Sequence, residues 1–147
     1  MEECMTAKKR AIVSVFDKTG VVGLCAFLHQ HGWEILSTGG TAAALRSGNI
    51  PVVDIGDITG FPEMLEGRVK TLHPRIHAAI LARPTLEHLE TLQRFGIEPV
   101  DLVVVNLYPF SKTIAQPHVT VEQAIEMIDI GGPTMLRAAA KNCERVT

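Results

Sequence analysis

Apolar residues fall into two kinds of segment along this chain: short solid runs and stripes at helical spacing. Arg10-Ala11-Ile12-Val13-Ser14-Val15-Phe16 is nearly all apolar over a short length, as a strand buried on both faces should be. From Thr19 to Gln30, Val21, Leu24, Cys25 and Leu28 recur at the spacing of one helical face, and Gly32 suits the helix end. Trp33-Glu34-Ile35-Leu36-Ser37 reads as a second strand. Gly39-Gly40 then opens an alanine-rich helix over Thr41 to Arg46, and Pro51 to Ile55 reads as a third strand. The stretch from Gly56 to Arg83 follows no clear period. A helix from Thr85 to Phe95 carries Leu86, Leu89 and Leu92 as its apolar stripe, and Asp101 to Leu107 has the character of a central strand. Thr120 and Gln123 form a capping box for a helix with Val121, Ala124, Ile125 and Ile128 on one face. Asp129-Ile130-Gly131-Gly132-Pro133 breaks that helix. Pro133 suits the first turn of a last helix that runs to Lys141. Arg145-Val146-Thr147 reads as the start of another strand, so the domain is expected to continue past this point.

Strand and helix alternate, which predicts an α/β fold with a mainly parallel sheet and helices on both faces. Such sheets bind ligands outside the carboxyl ends of their strands. Asp17-Lys18, Thr38-Gly39-Gly40-Thr41, Asn106 and Tyr108 all fall at those ends.

Composition narrows the function classes. With 147 residues, 46% apolar and 20% charged, the chain has room for one globular domain with a real core. A net charge of −2 offers no global basic field, so neither nucleic acid nor membrane is an expected partner and any anion site must be local. Lys8-Lys9-Arg10 reads as a solvated lead-in to the first strand. Cys4, Cys25 and Cys143 are odd in number and widely spaced, which points to neither a disulfide framework nor a zinc ribbon and suits a reducing, cytoplasmic setting. Met1-Glu2-Glu3-Cys4 does not begin a signal peptide, and no apolar run approaches membrane-spanning length.

Four segments carry candidate chemistry. Ser37-Thr38-Gly39-Gly40-Thr41 is a strand, a glycine turn and a helix start. It reads either as a phosphate seat, with hydroxyls of Thr38 and Thr41 and the cation of Lys18 adding to the backbone N–H groups, or as a tight turn with Thr41 as an N-cap. Gly67-Arg68-Val69-Lys70-Thr71-Leu72-His73-Pro74 puts two cations and a hydroxyl within four residues. Arg68 has a planar fork for phosphate or carboxamide oxygens, and Lys70 is a point charge suited to an oxyanion. Asn106-Leu107-Tyr108-Pro109-Phe110 ends the last strand with an amide that can pair with another amide and a phenol that can donate to an oxyanion. Asp129 stands beside Gly131-Gly132 at a helix start, where a cap is the ordinary explanation, and Lys141 lies near that helix's end, where a cation suits the macrodipole. His73 and His77 are four apart but lack a third ligand and an HExxH pattern, so no metal is expected.

Seven strings occur in the order and spacing of one family: Ser14 to Gly20, Ser37 to Thr41, Thr59-Gly60-Phe61-Pro62-Glu63-Met64, Gly67 to Pro74, Asn106 to Phe110, Asp129 to Gly132, and Arg137-Ala138-Ala139-Ala140-Lys141-Asn142. The chain resembles, from Arg10 to Thr147, the bifunctional phosphoribosylaminoimidazolecarboxamide formyltransferase / inosine monophosphate cyclohydrolase. That resemblance implies a methylglyoxal-synthase-like fold over residues 1–147, a three-layer α/β/α sandwich of Rossmann type, cut before the end of its cyclohydrolase region and lacking the formyltransferase domain. It implies a hydrolase of the cyclic-amidine class that closes formylated aminoimidazole carboxamide ribotide to inosine monophosphate, the last step of purine-nucleotide (IMP) biosynthesis. It places the nucleotide against Ser14, Phe16-Asp17-Lys18, Thr38-Gly39-Gly40-Thr41, Arg68-Val69-Lys70-Thr71, Val105-Asn106 and Asp129-Ile130-Gly131. Lys141 matches the family's proton donor or acceptor. Phe16 departs from the serine of many members, so only a backbone contact is expected there. The cyclohydrolase step implies no cofactor, 10-formyltetrahydrofolate serving only the absent domain, and the intact enzyme is expected to be a homodimer.

The chemistry itself asks for orientation of a tethered nucleophile, donors for an oxyanion, and proton transfer. Lys70 and Tyr108 are the candidate oxyanion donors, and Asp129 with Lys141 the candidate proton-transfer pair. Two rivals share the phosphate seat: methylglyoxal synthase, which lacks the Lys-Thr-Leu-His-Pro and Asn-Leu-Tyr-Pro-Phe strings, and a nucleotide-sensing regulatory module, which has no need of Asp129, Lys141 and Tyr108 together.

Overall fold

The computed structural model describes residues 8–147. The chain runs through β1 (Arg10–Val15), α1 (Val21–Gln30), β2 (Glu34–Ser37), α2 (Gly39–Ser47) and β3 (Val53–Asp54). Helices α3 (Ile55–Thr59), α4 (Pro74–Leu81) and α5 (Leu86–Arg94) then carry it back to β4 (Leu102–Asn106), and α6 (Phe110–Ile114), α7 (Val121–Glu126) and α8 (Gly131–Lys141) follow. The four strands are all parallel, in the order β3-β2-β1-β4. The chain winds outward from β1 to β3 and returns on the other side of β1. The winding therefore reverses between β1 and β4, and a crevice opens at their carboxyl ends.

Side chains of successive strand residues point to opposite faces. Ala11, Val13 and Val15 join Val21, Cys25, Leu28 and Leu45 of α1 and α2 on one face, while Ile12 joins Ile55, Ile76, Ile80, Met135 and Ala138 of α3, α4 and α8 on the other. These two clusters make the expected three layers.

Several local expectations are corrected. The strand that was expected to be central, Asp101 to Leu107, forms β4, which pairs with β1 on one side. On its other side it meets Thr147, in the segment read as the start of a further strand, whose N–H donates to Asp101 O at 3.0 Å and whose carbonyl accepts from Val103 N–H at 2.8 Å. Its apolar run reflects burial on both faces, which says nothing of how many strands flank it. Leu24, Leu86 and Leu89 lie exposed; on α5 only Leu92 is buried. The apolar face of α7 is exposed too, and neither α6 nor α7 buries a residue. Helix α4 rises out of the stretch that showed no period. His73 caps it, its Nδ1 accepting from Arg75 N–H at 3.1 Å, Pro74 sits in its first turn, and Ile76, Ala79 and Ile80 are buried.

The basic lead-in is solvated at Lys8 and Lys9, which are exposed, and anchored at Arg10. Arg10 pairs with Glu34 at 2.6 Å and Glu98 at 3.1 Å, and Lys9 lies over the Trp33 ring. At the same amino-terminal edge of the sheet, Arg145 donates to the carbonyls of Ala79, Ile80, Ala82 and Val100, and Asn142 donates to those of Ile80 and Ala82. Cys25 is buried, which pushes its thiol pKa up, Cys143 is exposed, and both are free. Cys4, with the acidic start Met1-Glu2-Glu3, lies outside the described residues. Among the described residues no helix is long and apolar enough to cross a membrane.

Candidate functional site

A cleft of about 730 Å³ opens at the carboxyl edge of β1 and β4. One wall is the end of β1 with the glycine turn: Ser14, Phe16, Lys18, Thr38, Gly39, Gly40 and Thr41. A second wall is the loop carrying Arg68, Lys70 and Thr71. The rest comes from Asn106, Tyr108, Asp129, Ile130 and Gly131. Thus most of the residues singled out from the sequence do meet in one place. A second cleft of about 580 Å³ lies alongside, shares Thr38 and Lys70, and is lined by Phe61, Glu63, Met64, Val69 and His73 among others.

The glycine turn gathers groups of positive potential. Gly39 begins α2 with φ +57°, a conformation that glycine adopts freely. The first N–H groups of a helix have no intrahelical acceptor and face outward with the positive end of its dipole. Lys18 Nζ donates to Val15 O at 2.6 Å and Phe16 O at 3.0 Å and lies 3.8 Å from where a Cβ on Gly40 would stand. Lys70 Nζ lies 3.3 Å from the corresponding point on Gly39. Two ammonium groups therefore flank the helix start. Thr41 does not add its hydroxyl. Its Oγ1 donates to Val15 O at 3.0 Å and accepts from Val15 N–H at 3.1 Å, because the side chain is buried against β1. Nor is Thr41 the N-cap, a position held by Thr38.

Asn106 is likewise committed within the chain. Its Oδ1 accepts from Phe16 N–H at 2.6 Å and Asp17 N–H at 3.0 Å, and its Nδ2 donates to Asp17 O at 2.9 Å. It braces the turn that follows β1 instead of offering a free amide. Asp17 turns to Thr19, whose hydrogen bonds hold its carboxyl below the usual range, and does not line the cleft. Phe16 and Tyr108 meet edge to face, with centroids 5.4 Å apart, and form an aromatic wall.

The Arg68–Thr71 loop enters through three successive left-handed residues, Leu65, Glu66 and Gly67. A Cβ on Gly67 would collide with Lys70, whose side chain folds back across it. Lys70 pairs with Glu63 at 2.8 Å, and Arg68 pairs with Glu126 of α7. Sequence reasoning missed Glu63 and Glu126, because a carboxylate in a loop or on a short helix carries no local signal of its partner. Thr71 is buried, and a Cβ on Gly131 would stand 2.6 Å from its Oγ1, so the chain approaches closely there.

At the far wall Asp129 caps the start of α8, its Oδ1 accepting from Gly132 N–H at 3.0 Å, and it lines the cleft. Lys141 is not brought there. The ten steps of α8 from Gly131 to Lys141 rise about 15 Å. They end beside Asn142 at the amino-terminal edge of the sheet, and Lys141 does not line the cleft. The pairing of Asp129 with Lys141 expected from the sequence therefore does not form within the chain. Val105 lies in β4 beneath the cleft, and Val69 faces the neighbouring one. His73 and His77 do not share a helical face as a ligand pair: His73 is the cap of α4, while His77 lies within the helix with its Nε2 buried and without a partner. Among the described residues no group of three or more metal-ligating side chains gathers.

Comparison with known proteins agrees with this fold. The family model for the MGS-like domain matches residues 20–134. Bifunctional purine biosynthesis protein PurH of Neisseria meningitidis is 58% identical over 143 residues, 97% of this chain and 27% of the relative. PurH of Streptococcus uberis is 59% identical over 95% of this chain and 27% of its own length, and that of Listeria welshimeri is 60% identical over 95% and 28%. The chain thus spans about a quarter of the length of the curated relatives it matches. The crystal structure of ForH superposes with a TM-score of 0.83 at 39% identity, covering 95% of this chain and 71% of that one. With its parallel sheet, its cleft at the winding reversal and these matches, the chain belongs to the MGS-like domain family.

Proposed function

We propose that this chain is the inosine monophosphate cyclohydrolase region of a bifunctional purine-biosynthesis enzyme, and that its cleft closes formylated aminoimidazole carboxamide ribotide to inosine monophosphate. One observation carries the reading. The anion seat at Gly39-Gly40 shares a single cleft with an ammonium, a phenol and a carboxylate, those of Lys70, Tyr108 and Asp129. On this reading the seat takes the phosphomonoester, and the Phe16–Tyr108 wall and Asp129 border the space for the planar base. The volume lies in the range of small-molecule sites. The name printed for the relatives, a bifunctional purine biosynthesis protein, supports the same substrate class.

In the reaction the carboxamide nitrogen attacks the formyl carbon of the same molecule, so holding both ends is the first requirement. The formyl oxygen becomes an alkoxide, for which Lys70 and Tyr108 supply positive charge and a hydrogen-bond donor. One proton passes from the attacking nitrogen to that oxygen. The hydroxyl then leaves as water with the hydrogen of the original formamide nitrogen, forming the ring double bond. Asp129 is the carboxylate placed to relay these protons, with one oxygen held by Gly132 N–H and the other to carry the load. No cofactor or metal has a step in this scheme. The partner is a purine ribonucleotide rather than nucleic acid, and the homodimer and cytoplasmic setting expected of the intact enzyme belong to the same proposal.

The test is direct. Formylated ribotide mixed with the purified chain should yield inosine monophosphate, seen by its ultraviolet absorbance. Inosine monophosphate should also shift the amide resonances of Gly39 and Gly40. Absence of both effects removes the reading.

A further inference from the structure

Each cation of the loop that enters the cleft is already held by a carboxylate from another part of the chain. Arg68 pairs with Glu126 on α7, and Lys70 pairs with Glu63, which precedes the loop. The carboxylates border the same space as the cations they hold: Glu126 lines the main cleft and Glu63 the neighbouring one that Lys70 also lines. The side chains of Glu63 and Glu126 are 58% and 55% exposed, while that of Lys70 is only 22% exposed. Such pairs are weak because water screens them. They are strong enough to occupy a cation and weak enough to be exchanged.

An anion that reaches Arg68 or Lys70 must displace the resident carboxylate or accept its charge nearby, and either lowers its affinity. A small anion gains only the seat contacts in return. A nucleotide also gains the aromatic wall of Phe16 and Tyr108 and the groups at the start of α8. The penalty is common to both ligands, but only one has further contacts to offset it. We propose that Glu63 and Glu126 are stand-ins for the ligand's anionic groups, which lower the affinity of every phosphate for the cleft by the same factor and so leave it empty of free phosphate while a phosphate that carries a nucleoside still binds. The inference rests on the reading of the cleft as a nucleotide site.

Wild-type chain, Glu126→Gln and Glu63→Gln are titrated with inorganic phosphate and with inosine monophosphate, following the amide shifts of Gly39 and Gly40. Each glutamine variant should bind phosphate more tightly, by up to about fivefold for an exposed pair. The nucleotide should gain by the same factor, so both affinities rise while the preference between them holds. Glu126→Asp, which keeps the charge, should keep the wild-type affinities. Phosphate affinity that is unchanged or weaker in both glutamine variants, with melting temperatures intact, overturns the proposal even if the nucleotide binds well. A wild-type chain that ignores inosine monophosphate while the variants gain phosphate affinity would instead sink the nucleotide reading and leave the exchange standing.

Discussion

At the scale of single residues, the side chains around the cleft are divided between holding the chain and facing a ligand. Asn106 holds the chain. Its three hydrogen bonds to the backbone of Phe16 and Asp17 tie the end of β4 to the turn after β1, the turn that carries Lys18. Asn106→Ala hands those exposed backbone groups to water, and losing such a bond is expected to cost about 0.5–1.5 kcal/mol. The denaturation midpoint should fall accordingly, and inosine monophosphate should bind more weakly because Lys18 loses its support. Asn106→Asp retains the two acceptor contacts and should lose less. An unchanged midpoint for the alanine variant would show that the brace is dispensable. The position of Asn106 at a strand end was legible in the sequence; its partner ninety residues away was not. The same holds for Thr41, whose hydroxyl is consumed by Val15 across the sheet, and for Gly131, required by the approach of Thr71 rather than by a turn.

At the scale of elements, α8 separates two residues that the sequence invites one to pair. Asp129 stands at its start beside the cleft and Lys141 at its end on the opposite edge of the sheet. Asp129→Asn is therefore expected to reduce the rate of cyclisation by about 10²–10⁴-fold, the usual worth of a proton-transfer group. Lys141→Ala should leave kcat near normal and shift stability only slightly, as loss of a helix-end cation does, by about 0.3–1 kcal/mol. Steady-state kinetics of both variants decide it. A large fall in kcat for Lys141→Ala would show that the lysine reaches a reacting centre to which its own chain does not bring it. Strands β1 to β4 and helices α1, α2, α5, α7 and α8 were legible because their apolar period or capping chemistry is local. Helices α3, α4 and α6 were not. Five, eight and five residues long, they are too short for a period to stand out, and α4 gains its stability from packing on α8.

At the scale of the whole molecule, the buried imidazole of His77 makes stability depend on pH. Burial lowers its pKa from the ordinary 6.5. The unfolded chain therefore takes up a proton at a higher pH than the folded chain does. The stability gained by keeping His77 neutral is complete above about pH 6.5 and is lost as the pH falls from there toward the lowered folded-state pKa. The melting temperature should decline as the pH falls below about 6.5, and His77→Gln should decline less steeply over the same range. Parallel slopes would show that His77 takes no part. By itself the sequence determined the order of most elements, the α/β class, the glycine turn as a helix start and the set of strings that meet at the strand ends, because periodicity, capping and the parallel-sheet rule act locally or apply to every such sheet. Only the tertiary structure decided that β1 and β4 form the crevice, that Glu63 and Glu126 hold the loop's two cations, that Asn106 and Thr41 serve the backbone, and that Lys141 does not line the cleft. Those outcomes depend on which distant segments come within hydrogen-bonding reach, and a distance between segments far apart in the chain is fixed only by packing.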